Sequence, residues 1–260
     1  MKKSYFVVFI AVICIFVCFC QSGEINAQEF ESGRILISSG ESDPDSTKFI
    51  VVEGRGVLAL RQGKELFSVD TSSGIAPVLF PGDLYVEDAV FGPIGLFVKN
   101  GEVIYLCRDK IFPFFRFDSS NFMLDPTGDG NLFILVNNNS QGVLYYLDCE
   151  SREVCTLAAF PETIVNAFGT KDESIVVTNS GIYFLAENKA QQLLSYYEPI
   201  TSASYADGAL FFSTKNNLLL LVEKDMVGVI LERGCKQLVY DQGFLYVYND
   251  DGSLVCYPTI

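Results

Sequence analysis

Apolar and polar positions along this chain do not follow a helical period. Short apolar runs recur instead, each closed by a turn signal and followed by a second run rich in aromatic residues. Leu58, Leu96, Phe133, Val176, Phe211 and Tyr246 mark the centre of the leading strand in successive hairpins, at spacings of 38, 37, 43, 35 and 35 residues. A repeat of this length, built from strands, predicts a β-propeller.

Each copy reads as four strands. In the clearest, Glu87–Phe91 is an inner strand and Ile94–Lys99 the next; Asn100-Gly101 turns the chain into Val103–Cys107, and Ile111–Phe117 closes the unit. Asn-Gly suits such a turn because both residues tolerate positive φ. Three further copies follow: Leu132–Val136, Val143–Leu147 and Val154–Phe160; Ile175–Thr178, Ile182–Leu185 and Gln192–Tyr196; Leu210–Ser213, Leu218–Val222 and Val227–Leu231. Earlier in the chain come Val57–Leu60, Leu66–Val69 and Ala76–Phe80. Val165–Glu173 and Glu187–Gln192 read as single helical turns.

The last copy supplies only Leu238–Tyr240, Phe244–Tyr248 and Leu254–Tyr257, while Arg34–Ser38 is a spare strand near the other end. Pairing the two completes the last unit and leaves no long edge unpaired. The expectation is an all-β, six-bladed β-propeller closed by an N-terminal strand joining the last blade. An open solenoid is the alternative, but capped ends are not visible.

Residues 1–27 are set aside from the fold. Lys2 and Lys3 precede an apolar run from Phe6 to Cys20, and Ile25-Asn26-Ala27 ends in a small residue. This reads as a secretory signal, with residues 28–260 as one propeller domain. The run is short for a span, which takes roughly 20 apolar residues. An uncleaved anchor and a lipid at Cys20 are the other readings. Export to the periplasm or cell envelope is expected in each case.

The chain carries 18 basic and 32 acidic residues, a net charge of −14. That balance argues against nucleic acid and anionic membrane surfaces as partners. There is no histidine, so a serine–histidine hydrolase is excluded. Cys107, Cys149, Cys155, Cys235 and Cys256 lie beyond the leader. Exported cysteines tend to pair, and a hairpin centred on Arg152 would set Cys149 against Cys155 as a disulfide.

Asp207-Gly208-Ala209-Leu210-Phe211 and Gln242-Gly243-Phe244-Leu245-Tyr246 carry an Asp-Gly-x-Leu-Tyr type of strand start. In this the chain resembles a loose group of exported bacterial six-bladed propellers. Trp-Asp pairs and the double-glycine kelch pattern are absent. Asp45-Ser46-Thr47 matches a short O-glycosylation motif used by some bacteria that export such proteins.

Two sets of residues are candidates for chemistry. Asp125-Pro126-Thr127-Gly128-Asp129-Gly130-Asn131 is similar to the calcium loops of integrin-type propellers, which implies Asp125, Thr127 and Asp129 as ligands. Thr127 stands where those loops carry Asp or Asn, and Phe133 where they carry a last carboxylate; an Asp-Gly turn explains the same residues. No other cofactor is expected. The second set lies in the loops that lead into the inner strands: Glu87, Asp88, Asn121, Glu162, Tyr196, Tyr197, Glu198 and Arg233. Carboxylates and tyrosines converging there would bind a protein partner or a small ligand at a central funnel. The expected function is non-enzymatic binding in the bacterial cell envelope. The alternative is a carboxylate-based or calcium-dependent propeller enzyme: a hydrolase, lyase or lactonase-like protein. Function lives in the site rather than in the fold, so the geometry must decide.

Overall fold

A computed structural model of the chain describes residues 33–40, 43–52, 56–61, 65–70, 74–78, 88–91, 95–99, 102–107, 110–116, 122–139, 141–187, 189–206, 208–223 and 226–258. The leader, Glu87 and Asn121 lie outside these residues, and Asp88 is described in its backbone alone.

The described residues form strands throughout. β1 (Arg34–Ile37) is followed by β2 (Thr47–Val52), β3 (Gly56–Arg61), β4 (Glu65–Asp70) and β5 (Gly74–Val78). Then come β6 (Asp88–Phe91), β7 (Gly95–Lys99), β8 (Glu102–Cys107) and β9 (Lys110–Arg116). The next unit is β10 (Phe122–Pro126), β11 (Leu132–Asn138), β12 (Gln141–Leu147) and β13 (Val154–Phe160). After it come β14 (Ile164–Gly169), β15 (Glu173–Thr178), β16 (Gly181–Ala186) and β17 (Lys189–Ser195). The chain ends with β18 (Ile200–Ala206), β19 (Ala209–Thr214), β20 (Leu218–Glu223), β21 (Met226–Leu231), β22 (Gln237–Asp241), β23 (Phe244–Tyr248) and β24 (Leu254–Pro258).

These strands make five sheets, not six separate ones: four of four strands and one of eight. The eight-stranded sheet is two antiparallel meanders, β2–β5 and β6–β9, joined by one parallel pair between Val52 and Phe91. The spare strand behaves as expected. β1 adds to β24 with Arg34 opposite Cys256 and Ile35 opposite Val255, and Ile37 is 2% exposed. The strands β2, β6, β10, β14, β18 and β22 touch in that order, and β22 returns to β2. The protein is therefore an all-β propeller whose ring is closed by strands from both ends of the described chain.

Two segments expected as helical turns are strands. Val165–Glu173 lies mostly in β14, and Glu187–Gln192 opens β17. β14 has the run Ile-Val-Asn-Ala-Phe-Gly, with Ile164 and Ala167 fully buried. A strand buried on both faces loses its alternation and cannot be told from a helical turn by pattern alone.

The core lies between neighbouring units. Phe133, Leu144 and Phe160 pack with Ile164 and Val176 of the next unit. Phe211, Leu218 and Ile230 pack with Leu238, Leu245 and Val255. Phe49, Val57 and Ala59 pack with Tyr246, Tyr248 and Leu254 where the ring closes. Phe49 meets Tyr248 edge-on at 4.7 Å, a favoured aromatic geometry.

Apart from the Val52–Phe91 pair, the channel sides of the described inner strands are not laddered to a neighbouring strand, so their backbone needs other partners. Polar side chains of the preceding inner strand provide them. Ala167 N donates to Asp125 Oδ2 at 2.8 Å, Ala203 N to Asn166 Oδ1 at 3.1 Å, and Leu238 N to Ser202 Oγ at 2.9 Å. At the closing junction Phe49 N donates to Gln237 Oε1 at 2.9 Å, and Gln237 Nε2 donates to Phe49 O at 2.5 Å. Each stitch runs in the same direction around the ring.

Candidate functional site

Antiparallel meanders bring two kinds of loop to one end of the propeller. One kind leads into the inner strands: residues 161–163, 196–199 and 232–236. The other joins second and third strands: residues 179–180, 215–217 and 249–253. The described entry-loop candidates, Glu162, Tyr196, Tyr197, Glu198 and Arg233, all lie at this end.

Glu162 stands two residues before β14, and Glu198 two residues before β18. Each turns back onto the end of its own unit's second strand. The Thr178 hydroxyl donates to Glu162 Oε2, and Tyr183 donates to Oε1 at 3.4 Å. The Thr214 hydroxyl donates to Glu198 Oε2 at 2.7 Å, and Asn216 Nδ2 donates to Oε1 at 3.0 Å. Thr178 opposes Ile164 in the ladder, and Thr214 opposes Ile200, so each carboxylate ties an entry loop to its own sheet. The Thr214 hydroxyl, then the Asn216 amide, hold the Glu198 carboxyl below its usual range. The two carboxylates are thus fixed singly in successive units, without the mutual bonding of an acid–base pair.

Arg233 is also engaged: its Nη2 donates to the Tyr257 hydroxyl at 2.6 Å. Lys236 Nζ meets Asp45 Oδ1 at 2.6 Å, joining the last entry loop to the segment before β2. Thr47 of the Asp-Ser-Thr motif is 9% exposed as β2 begins, whereas Ser46 is half-buried and its hydroxyl donates to Asp43 O at 3.4 Å.

The two tyrosines are arranged differently. Tyr196 rests edge-on against Phe212, with ring centroids 5.5 Å apart and planes at 82°. Tyr197 lies tilted over Tyr196, at 4.9 Å and 35°. Its side chain projects from the protein, leaving Tyr197 81% exposed. The loop is held by Tyr196 N donating to Ser180 O and Ile200 N to Asn179 O, both at 2.9 Å. Burial raises the Tyr196 phenol, and Tyr197 and the Glu198 charge add to it.

The calcium candidates sit at the opposite end. Asp125 faces the next unit, where it accepts from Ala167 N. Asp129 Oδ1 accepts from the Thr127 hydroxyl, and Oδ2 from the Tyr146 hydroxyl at 3.0 Å. Burial works against ionisation of Asp129, but these donors outweigh it and its carboxyl sits below the usual range. Asn131 completes the turn, donating to Tyr146 at 2.6 Å and accepting from Cys149 N at 2.9 Å. Thr127 and Asp129 are thus bonded to one another, while Asp125 is turned to the next unit. Among the described residues no cluster of three or more Cys, Asp or Glu is placed to hold a metal ion.

The expected disulfide is absent: Cys149 and Cys155 are free thiols, as are Cys235 and Cys256. The hairpin ladder ends at the pair Leu147–Val154, and Cys155 opposes Tyr146. Cys149 instead packs beside Phe122 and Leu124, while Cys155 packs with the core between this unit and the next. Opposite faces of one sheet cannot be bridged.

Comparison by sequence finds no matching protein family and no matching curated protein. Comparison by structure finds many propellers. Virginiamycin B lyase from Staphylococcus aureus is 12% identical, with a TM-score of 0.57 over 86% of this chain and 83% of its own. A candidate gluconolactonase is 11% identical, with a TM-score of 0.64 over 87% of this chain and 91% of its own. Regucalcin, a calcium-binding protein from Agrobacterium tumefaciens, is 11% identical, with a TM-score of 0.62 over 87% and 93%. Extracellular domains from Bacteroides thetaiotaomicron are among the other matches. What the chain shares with all of these is the β-propeller fold.

Proposed function

We propose that the entry-loop end is a recognition face and that the protein acts by binding a partner there, outside the cytoplasm. The observation that carries this is the Tyr196–Tyr197 pair, an aromatic platform braced on the core and 81% exposed at Tyr197. A large ring held out into solvent loses little further freedom on binding and offers both apolar area and a polar tip. The leader-like residues 1–27 support placement in the cell envelope, and the extracellular domains among the fold neighbours agree with it.

A second reading has its own support. The fold neighbours include a lyase, a candidate gluconolactonase and a calcium-binding protein, and these names favour a propeller enzyme over a binding module. The residues pull the other way. A variant of the lyase with one histidine replaced by alanine is catalytically inactive, and this chain has no histidine. Glu162 and Glu198 are each bonded to a threonine of their own sheet rather than to one another.

The test pairs recovery with turnover. The Tyr197→Ala protein is expected to keep its melting temperature and to recover less partner from envelope extracts than the parent. Both proteins are then screened against lactones, glycosides and polyuronates, with and without calcium. Turnover by the parent would establish the enzyme reading, and equal partner recovery by both proteins would remove Tyr197 from the recognition face.

A further inference from the structure

We infer that this face takes a cationic side chain, an arginine or lysine presented by a basic peptide segment, between the open ring of Tyr197 and the carboxylate of Glu198. The inference rests on the recognition reading above and names the partner's chemistry.

Three features converge. Tyr197 is fixed through Tyr196 onto Phe212, which is fully buried, so the outer ring is preorganised. The face of a tyrosine ring carries partial negative charge and attracts guanidinium and ammonium groups. Glu198, the next residue, is held ionised by the Thr214 hydroxyl and the Asn216 amide, both neutral donors. Its charge is therefore oriented without being cancelled. A carboxylate has about four lone-pair sites; these two bonds leave one on each oxygen, the arrangement a guanidinium fork requires.

The cations of the neighbouring entry loop are turned elsewhere, Arg233 to Tyr257 and Lys236 to Asp45. Lys215, in the same loop as Asn216, is exposed and is not among the groups that hold Glu198 ionised. The net charge of −14 adds a long-range field that draws basic partners in and repels acidic ones. A neutral glycan could stack on the same ring, but it would draw no advantage from the ionised carboxylate or from the field.

The experiment titrates the folded protein with a blocked penta-arginine peptide, its penta-citrulline isostere and cellohexaose. Calorimetry and tyrosine fluorescence report binding; the chain has no tryptophan to mask the latter. The arginine peptide should bind and the citrulline peptide should not. Tyr197→Ala should weaken binding about tenfold while Tyr197→Phe, which keeps the ring face, stays within about twofold of the parent. Glu198→Gln should weaken it by a similar factor and flatten its salt dependence. Arginine binding that is unchanged in Tyr197→Ala would reduce the effect to bulk charge and overturn the inference, as would no binding by the parent. Cellohexaose binding that is lost in Tyr197→Ala, without arginine binding, would overturn the cationic partner but keep the recognition face. Indifference of every probe to Tyr197 would remove both.

Discussion

Replacing Gln237 by alanine strikes the one junction where the ends of the ring meet. Its amide is bonded twice to Phe49, once as acceptor at 2.9 Å and once as donor at 2.5 Å. Phe49 is 1% exposed and lies on β2, whose channel edge meets β6 in the single pair Val52–Phe91, three residues further on. Alanine would leave one N–H and one C=O unmatched. An unsatisfied buried group costs about 1–3 kcal/mol, so the pair should cost about 4 kcal/mol. In a domain of this size each kcal/mol moves the melting temperature by about 2–4 °C, which puts the expected fall near 10 °C. Circular dichroism melts would be read against Gln191→Ala, an exposed position on β17, where the change should stay within about 0.5 kcal/mol. Equal melting temperatures for the two variants would refute the view that side-chain stitches hold the inner strands together. Gln237→Glu sharpens the test. An ionised carboxylate can still accept from Phe49 N but presents no donor to Phe49 O, so this variant should fall between the parent and Gln237→Ala at neutral pH.

The strands were legible because each is a compact run of apolar residues bounded by turn residues, and because their spacing repeats. Closure was legible for the same reason: Arg34–Ile37 had no partner in its own half, and the last unit lacked one strand. The inner strands were harder. Ile164–Gly169 interrupts its apolar run with Asn166, which hides the strand yet is the very residue that stitches Ala203. The stitching positions are filled by Asp125, Asn166, Ser202 and Gln237, four residue types that share only a polar tip. A single polar residue inside an otherwise apolar inner strand was the available signal. The glutamates show a related ambiguity. A carboxylate in an entry loop looks like a free group, yet Glu162 and Glu198 are each followed 16 residues later by a threonine that bonds and orients them. That common spacing marks a repeated structural tie. The fusion of the first two units into one sheet rests on a single pair, Val52–Phe91, which no local pattern specifies. The spacing of Cys149 and Cys155 suggested a bridge only on the assumption that the turn centred on Arg152. The ladder instead stops at Leu147–Val154, and the cysteines go to different cores.

A chain beginning at Gly33 should melt like the parent, whereas one beginning at Asp43 loses β1, exposes the edge of β24 and should melt many degrees lower. Equal melting by the two truncations would remove the closure argument. Gly234→Ala should destabilise by about 1–3 kcal/mol, because its Cβ would collide with the carbonyl oxygens of Thr214 and Lys215; a denaturant midpoint unchanged from the parent would count against that close approach. The buried thiols set the alkaline limit. Desolvation pushes Cys235 up to about 12 and Cys256 up to about 11, from an ordinary value of 9.0. Because the folded values lie above the unfolded one, the fold favours the protonated thiol. The stabilisation this represents is complete below about pH 9 and is lost as pH rises through 11 and 12, since the unfolded chain can release protons that the folded chain retains. Iodoacetamide at pH 8 should therefore spare Cys235 and Cys256 in the native protein and label both in urea, because the thiolate is the reactive form and the native sites suppress it. Unfolding followed from pH 8 to pH 11 should show a falling denaturant midpoint, shallower in a Cys235→Ala, Cys256→Ala double variant than in the parent. Rapid native labelling at pH 8, or identical pH profiles for parent and double variant, would contradict the burial that places these thiols in the cores flanking the last unit.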